Sequence, residues 1–133
     1  MIVFPEDNTA WFDIDDTLAM WSPTKEQKDQ YGIEVTCPAS VIYDSDGSVI
    51  GSSPEWKEKL VPHRVHIEQI KKHKMRGHKI ILWSQGGATW AKAVAEAFGL
   101  VDFVDLVIGK PTWIYDDKDP SFWMPKPYWL EDK

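Results

Sequence analysis

The chain has 133 residues, which is enough for one domain of ordinary size and too few for two domains with separate cores. Acidic residues outnumber basic ones by 21 to 15 and give a net charge of -6, so no general attraction to DNA or to anionic membranes is expected. With 43% hydrophobic residues and a single cysteine, Cys37, the composition predicts one soluble cytoplasmic domain over residues 1–133, without an internal disulfide. No apolar run is long enough to cross a bilayer.

The first half of the chain predicts a strand followed by a hairpin. Ala10-Trp11-Phe12 forms a short apolar strand that ends in a cluster of carboxylates beginning at Asp13. Asp44-Ser45-Asp46-Gly47 is a turn signal between two β-prone runs, 41–43 and 48–50, which predicts a β-hairpin. We expect this hairpin to be a flap within an insertion over about 19–60.

The second half predicts alternating helices and strands. Pro54 opens a short helix through Leu60, a longer helix follows, and Gly86-Gly87 precede the helix that is best defined by its apolar face. After residue 118, prolines argue against another long element and predict an irregular tail over 118–133. The predicted elements are helices over 54–60, 62–76 and 88–98 and strands over 79–83, 101–108 and 113–115.

This order predicts an α/β fold with a parallel sheet, and such sheets bind ligands beyond the carboxyl ends of their strands. Asp13 and Asp15 follow the first strand, whereas Asp116 and Asp117 follow the last one. Carboxylates gathered in this way repel one another unless a cation neutralises them. Oxygen ligands favour Mg²⁺, which keeps several waters and engages a substrate phosphate.

Phosphate-binding groups are expected at the same edge of the sheet. Ser84 ends a predicted strand, and Lys110 lies in the turn before the last strand. The N-terminus of the helix after Gly86-Gly87 would offer backbone N–H groups to an anion. The predicted substrate-binding residues are Thr17, Ser84, Gln85, Gly86 and Lys110.

Four segments in this order resemble the motifs of the haloacid dehalogenase superfamily. Phe12-Asp13-Ile14-Asp15-Asp16-Thr17-Leu18 resembles motif I, and the strand that ends at Ser84 resembles motif II. Lys110-Pro111 resembles motif III, and Trp113-Ile114-Tyr115-Asp116-Asp117 resembles motif IV. The resemblance implies a Rossmann-like fold with a minimal parallel sheet of strand order 3-2-1-4, flanked by helices.

The resemblance also implies a reaction and a role for each motif residue. Asp13 would be the nucleophile that forms an aspartyl-phosphate, and Asp15 the general acid and then the general base. Ser84 would donate a hydrogen bond to a phosphoryl oxygen, and Lys110 would neutralise charge at the nucleophile. Mg²⁺ would be held by the Asp13 carboxylate, the Asp15 backbone carbonyl and an acid of motif IV, with Asp117 as the direct ligand and Asp116 beside it or acting through water. Thr17 would brace the loop.

The expected function is therefore a Mg²⁺-dependent phosphatase that hydrolyses a phosphate monoester, with a nucleotide 5′-phosphate or another small ester as substrate. The chain is too short for a cap domain, so an open site is expected, with a lid supplied by the hairpin or by a second subunit. Lys110 directly precedes the last predicted strand, without the helix that often separates motifs III and IV. The alternatives are a polynucleotide 3′-phosphatase acting on nucleic-acid ends and a non-catalytic binding protein.

Other residues have competing interpretations. The basic run 71–76 could meet a polyanion, although such runs usually face solvent. The four histidines could include a metal pair, but a solvated basic helix is favoured over metal binding. The tryptophans are expected mainly in the core, with Trp21, Trp123 and Trp129 as candidates for base stacking or for a lid.

Overall fold

The computed structural model describes residues 1–4 and 8–128, and Trp129 lies outside these described residues. Strands and helices follow one another along the chain and form one parallel sheet, one antiparallel sheet and a separate hairpin. The strands are β1 (Thr9–Phe12), β2 (Ala19–Met20), β3 (Ile33–Cys37), β4 (Ser40–Tyr43), β5 (Val49–Ser53), β6 (Trp56–Pro62), β7 (Lys79–Ser84) and β8 (Leu106–Gly109). The helices are α1 (Lys25–Tyr31), α2 (Arg64–Met75) and α3 (Ala88–Ala97), with 3-10 turns at Val101–Phe103 and Pro120–Phe122.

The parallel sheet positions the candidate site. Its strand order is β1-β7-β8, and Phe12 pairs with Leu82 while Ser84 pairs with Gly109. The central strand β7 is an almost continuous apolar run, as expected for a strand covered on both faces. Side chains from this sheet, from both longer helices and from the antiparallel sheet form one core: Ile14, Leu18, Val35, Leu60, Ile70, Ile80, Leu82, Trp90, Val94 and Leu100.

The antiparallel sheet lies between the first carboxylate cluster and α2 in the chain. Its strand order is β2-β6-β3, and β3 alternates buried and exposed side chains, with Val35 and Cys37 facing the core. Trp56 of β6 stacks on Trp90 of α3, with ring centroids 4.7 Å apart. The insertion after β1 is thus packed against the α/β core by an aromatic contact.

The hairpin predicted around Asp44–Gly47 is present as β4 and β5, which pair in antiparallel orientation. Asp44 Oδ1 accepts hydrogen bonds from Asp46 N and Ser48 N, and Gly47 has φ 83°, a conformation that glycine adopts without strain. The apolar side chains of this hairpin are largely exposed.

The predicted Rossmann-like sheet of order 3-2-1-4 is wrong. Within the described residues the parallel sheet has three strands, and the predicted fourth strand over 113–115 does not form. The Trp113 indole donates to the Ser45 carbonyl at 2.9 Å, so this segment meets the hairpin turn instead of the parallel sheet. The fold is a mixed, strand-rich α/β arrangement with one parallel and two antiparallel sheets.

Two other local predictions fail in the insertion. The segment predicted as a helix over 54–60 is the strand β6, whose residues alternate in burial up to Leu60. The short helix α1 was not predicted, although Thr24 and Gln27 form a capping box at its start. In the part of the chain that is described, no helix is long and apolar enough to cross a membrane.

Candidate active site

Asp13 and Lys110 meet at the carboxyl ends of the parallel strands. Lys110 Nζ lies 3.2 Å from Asp13 Oδ1, and both side chains are about one-third exposed. Thr17 Oγ1 donates to the other carboxylate oxygen, Asp13 Oδ2, at 3.1 Å. Lys110 Nζ also lies 5.4 Å from the centroid of the Trp83 ring, which adds a cation–π contact. Asp13 is thus a solvent-accessible carboxylate whose two oxygens are each oriented by a donor.

The Asp15 carboxylate is held by two tryptophans. Trp21 Nε1 donates to Asp15 Oδ1 at 2.8 Å, and Trp90 Nε1 donates to the same oxygen at 3.0 Å. Trp21 follows β2 in the chain, whereas Trp90 belongs to α3, so two separate elements converge on one oxygen atom. Sequence reasoning placed Trp90 in the core and missed this contact, because no local spacing signals a hydrogen bond between residues so far apart in the chain.

Ser84 links the end of β7 to both neighbouring segments. Its backbone carbonyl accepts from Gly87 N at 3.1 Å and from Lys110 N at 2.9 Å. Its hydroxyl oxygen accepts from Gly86 N at 3.0 Å, which leaves the hydroxyl hydrogen as a donor. Ser84 is only 1% exposed, so its hydroxyl lies beneath the surface of the loop.

The loop after Ser84 brings the start of α3 to this edge of the sheet. Gln85 and Gly86 are exposed, and Gly87 caps the helix with φ 97° and without a side-chain hydrogen bond. A Cβ atom at Gly109 would stand 3.9 Å from Ala88 N, so the end of β8 lies close to the first turn of α3. The first N–H groups of α3 therefore lie near Lys110, as the sequence predicts for an anion site.

The loop after Asp13 is fixed from within. Asp16 has φ 59°, a left-handed conformation that is uncommon outside glycine, and its Oδ1 accepts from Trp21 N at 3.0 Å. The backbone N–H groups of Leu18 and Ala19 both donate to the Ile14 carbonyl. This tight turn orients the side chains of the carboxylate cluster.

Two buried histidines support the same loop from α2. His66 Nδ1 lies 2.6 Å from the Thr17 carbonyl, and because that oxygen only accepts, Nδ1 carries the hydrogen. His63 stacks on His66 at 3.8 Å, and its backbone N–H donates to the Leu18 carbonyl. The interpretation of this segment as a solvated basic surface is therefore wrong for His63, which is 2% exposed, and for His66, which is 8% exposed.

The predicted metal ligands do not come together. Asp116 and Asp117 are exposed, and Asp116 Oδ1 accepts from Lys118 N. Across 1–4 and 8–128, no group of three or more His, Cys, Asp or Glu side chains is placed to hold a metal ion. Asp13 is paired with Lys110 and the Asp15 side chain with two indoles. The Mg²⁺ site that the resemblance implies stays a prediction, because no cluster of described side chains joins Asp116 or Asp117 to Asp13.

The structure thus brings together most of the predicted site and leaves one part out. Asp13, Asp15, Thr17, Ser84 and Lys110 lie on connected segments at the carboxyl edge of the parallel sheet. Asp116 and Asp117, the acids of the predicted motif IV, form no metal-ligand cluster with these residues in the described part of the chain. Trp21, Trp90 and His66 are additional residues that contact the site loop.

Comparisons of the chain with protein-family models, with curated proteins and with solved structures find no match.

Proposed function

We propose that the protein is a phosphatase that transfers the phosphoryl group of a small phosphate monoester first to Asp13 and then to water. The ion pair between Asp13 Oδ1 and Lys110 Nζ supports this proposal most directly. It joins the first carboxylate of the Asp-x-Asp-x-Thr segment to the lysine that the same resemblance pairs with it. An accessible carboxylate beside a cation can attack phosphorus while the cation offsets the negative charge of the incoming ester.

The reaction would proceed in two displacements. A carboxylate oxygen of Asp13 forms a bond to phosphorus while the bond between phosphorus and the leaving oxygen breaks, and Asp15 gives its proton to that oxygen. Water then attacks the aspartyl-phosphate, its proton returns to Asp15, and phosphate leaves. Lys110 and the N–H groups at the start of α3 would stabilise the phosphoryl oxygens in both steps.

The position of the basic residues favours a small ester over a nucleic-acid end. The run 71–76 ends α2 and precedes Lys79, where β7 begins, whereas the site lies beyond Ser84, where β7 ends. A six-residue strand separates these ends by about 17 Å. Lys74 is also paired with Asp105 at 2.9 Å. The basic run 71–76 would therefore contribute little to the binding of a polynucleotide whose end lies in the site.

The decisive experiment measures phosphate release from p-nitrophenyl phosphate and from a panel of nucleotides and sugar phosphates. Asp13→Asn should abolish turnover, and Asp102→Asn, an exposed acid in the 3-10 turn after α3, is the matched control. Mass spectrometry of protein quenched during turnover should show one added phosphoryl group on the peptide that contains Asp13. Equal activity of wild type and Asp13→Asn would refute the proposal.

The Mg²⁺ requirement stays a prediction of the sequence. The same assay with EDTA or with added Mg²⁺ tests it, and Asp117→Asn should abolish any stimulation. Activity that is the same with EDTA and with Mg²⁺ would show that the lysine and backbone donors suffice. Phosphate binding without turnover of any ester would instead favour a non-catalytic binding protein. The lack of a ligand cluster that includes Asp116 or Asp117 among the described residues makes this a specific alternative.

A further inference from the structure

We propose that Trp21 and Trp90 are positioning residues that fix the Asp15 carboxylate so that Oδ2 is the oxygen that exchanges a proton with the substrate. This inference rests on the proposed phosphatase function and adds to it two residues that the sequence motifs do not contain. Its basis is the pair of indole N–H groups that donate to Asp15 Oδ1 at 2.8 and 3.0 Å.

The hydrogen-bonding capacity of the groups distinguishes the two carboxylate oxygens. An indole nitrogen donates and does not accept, so neither tryptophan can take a proton from Asp15. Two donors aimed at Oδ1 occupy the positions at which that oxygen would carry a hydrogen. A proton on Oδ1 would have to displace one of these bonds, whereas a proton on Oδ2 would leave both intact. Oδ2 is therefore the oxygen available for transfer to the leaving group.

The two indoles are themselves held in place. Trp90 is 5% exposed, and its ring is stacked on Trp56 at 4.7 Å with an interplanar angle of 21°. A Cβ atom at Gly86 would stand 3.1 Å from Trp90 Cδ1, so the loop after Ser84 packs closely against this ring. Trp21 lies 6.2 Å from Trp90 and is tied through its backbone N–H to Asp16 Oδ1. The donors therefore arrive at Asp15 on side chains with little freedom to move.

A purely structural role for the tryptophans predicts a different result from a positioning role. If they only fill space, their loss lowers activity on every ester to the same extent. If they orient the general acid, the loss falls mainly on esters whose leaving oxygen must be protonated. An alkyl phosphate needs that proton, whereas p-nitrophenolate leaves readily without it.

The test compares kcat/KM for p-nitrophenyl phosphate and for an alkyl phosphate in Trp21→Phe and Trp90→Phe. Since kcat/KM reports the steps up to departure of the alcohol, it isolates the acid role of Asp15 from its later role as base. We expect each variant to lose about tenfold more on the alkyl ester than on the nitrophenyl ester. Trp113→Phe is the matched control, because that indole donates to the Ser45 carbonyl and not to Asp15, so kcat/KM for both esters should stay unchanged.

A second measurement does not depend on turnover. In ¹H–¹⁵N spectra the indole signals of Trp21 and Trp90, assigned from the two Phe variants, should move upfield in Asp15→Ala, because their acceptor is gone. Asp102→Asn should leave both signals unchanged. Immobile signals would overturn the hydrogen-bonding arrangement itself. If a Phe variant fails to fold, assignment of the two indole signals from nuclear Overhauser contacts in the wild type takes its place.

The outcomes separate the two proposals. Equal losses on both esters, or no loss, would overturn the positioning role while leaving the phosphatase function intact. If the wild type hydrolyses no ester, or if its hydrolysis does not depend on Asp13, the phosphatase function is overturned. The reaction that the two tryptophans would serve is then overturned with it.

Discussion

Lys110 Nζ contacts Asp13 Oδ1 across the end of β7, although the two residues follow strands that are not neighbours in the sheet. Neighbouring strands are about 4.8 Å apart, so the lysine spans the width of two strand spacings. The Lys110 backbone N–H donates to the Ser84 carbonyl at the end of the intervening strand, and this hydrogen bond holds the lysine where its side chain can contact Asp13. The contact thus defines a site made from three strand ends.

Replacement of this lysine should affect the reaction far more than the fold. Lys110→Met should lower kcat/KM for phosphate esters by about 10²-fold, because it removes the cation beside the attacking carboxylate. The free energy of unfolding should change by less than about 1 kcal/mol, since partly exposed ion pairs contribute little. Steady-state kinetics and urea unfolding measure the two effects.

The matched control for this variant is Lys92→Met. Lys92 pairs with Glu96 at 3.8 Å on the exposed face of α3, and both side chains are well exposed. Its kinetics should equal those of the wild type. A loss of activity in Lys92→Met as large as in Lys110→Met would mean that general charge, and not the contact with Asp13, controls the reaction.

Strong local signals account for what the sequence predicted well. The apolar runs of β1 and β7, the β4–β5 hairpin and the glycine-flanked helix α3 are all present. Gly99, which follows α3, has φ 68°, as expected for a residue that ends a helix. The contact between Asp13 and Lys110 also follows from placing strand ends at one edge of a parallel sheet.

The failures have physical causes that local patterns did not reveal. Burial alternates along β3 from Val35 to Cys37 with a period of two residues, but the prolines and glycines around it obscured this signal. The predicted fourth strand over 113–115 does not form, and the Trp113 indole instead donates to the hairpin turn. The indole donors at Asp15 depend on tertiary packing and have no counterpart in sequence spacing.

Gly87 should be sensitive to substitution because of its backbone conformation alone. Its φ of 97° is strained for any residue with a side chain, and a Cβ atom there would meet nothing within 4 Å. Gly87→Ala should therefore lower the free energy of unfolding by about 1–3 kcal/mol without any steric clash. Urea unfolding measures this loss. Gly51→Ala is the control, because that site is equally open and its φ lies outside the left-handed region; equal stability of the two variants would contradict the assignment of strain.

The Cys37 thiol should react slowly in the native protein. It is 5% exposed, and burial raises its pKa, an effect that a hydrogen bond with Trp56 partly opposes. Both the low exposure and the smaller thiolate fraction should slow modification by a disulfide reagent at least about tenfold relative to the unfolded chain. Absorbance assays with and without urea measure the two rates. Similar rates would show that β3 opens readily to solvent.

Asp105 should stabilise the protein in a manner that depends on pH. Partial burial raises the pKa of this carboxyl, but a hydrogen bond from Ile80 N and the Lys74 ammonium outweigh burial, so the pKa lies below its usual range. A carboxyl with a lowered pKa in the folded state stabilises fully above its unfolded pKa, about 3.9, and this contribution is lost as pH falls through the folded pKa.

Removal of the Asp105 charge should therefore cost stability at neutral pH and much less in acid. Asp105→Asn should lower the free energy of unfolding by about 2 kcal/mol at neutral pH, because Lys74 and Ile80 N lose a charged acceptor in a partly buried place. Below the folded pKa the wild type is protonated as well, so the two stability curves should converge. Urea unfolding across the acid range measures both curves, with Asp102→Asn as the exposed control. A constant difference between wild type and Asp105→Asn at every pH would show that shape, and not charge, makes Asp105 important.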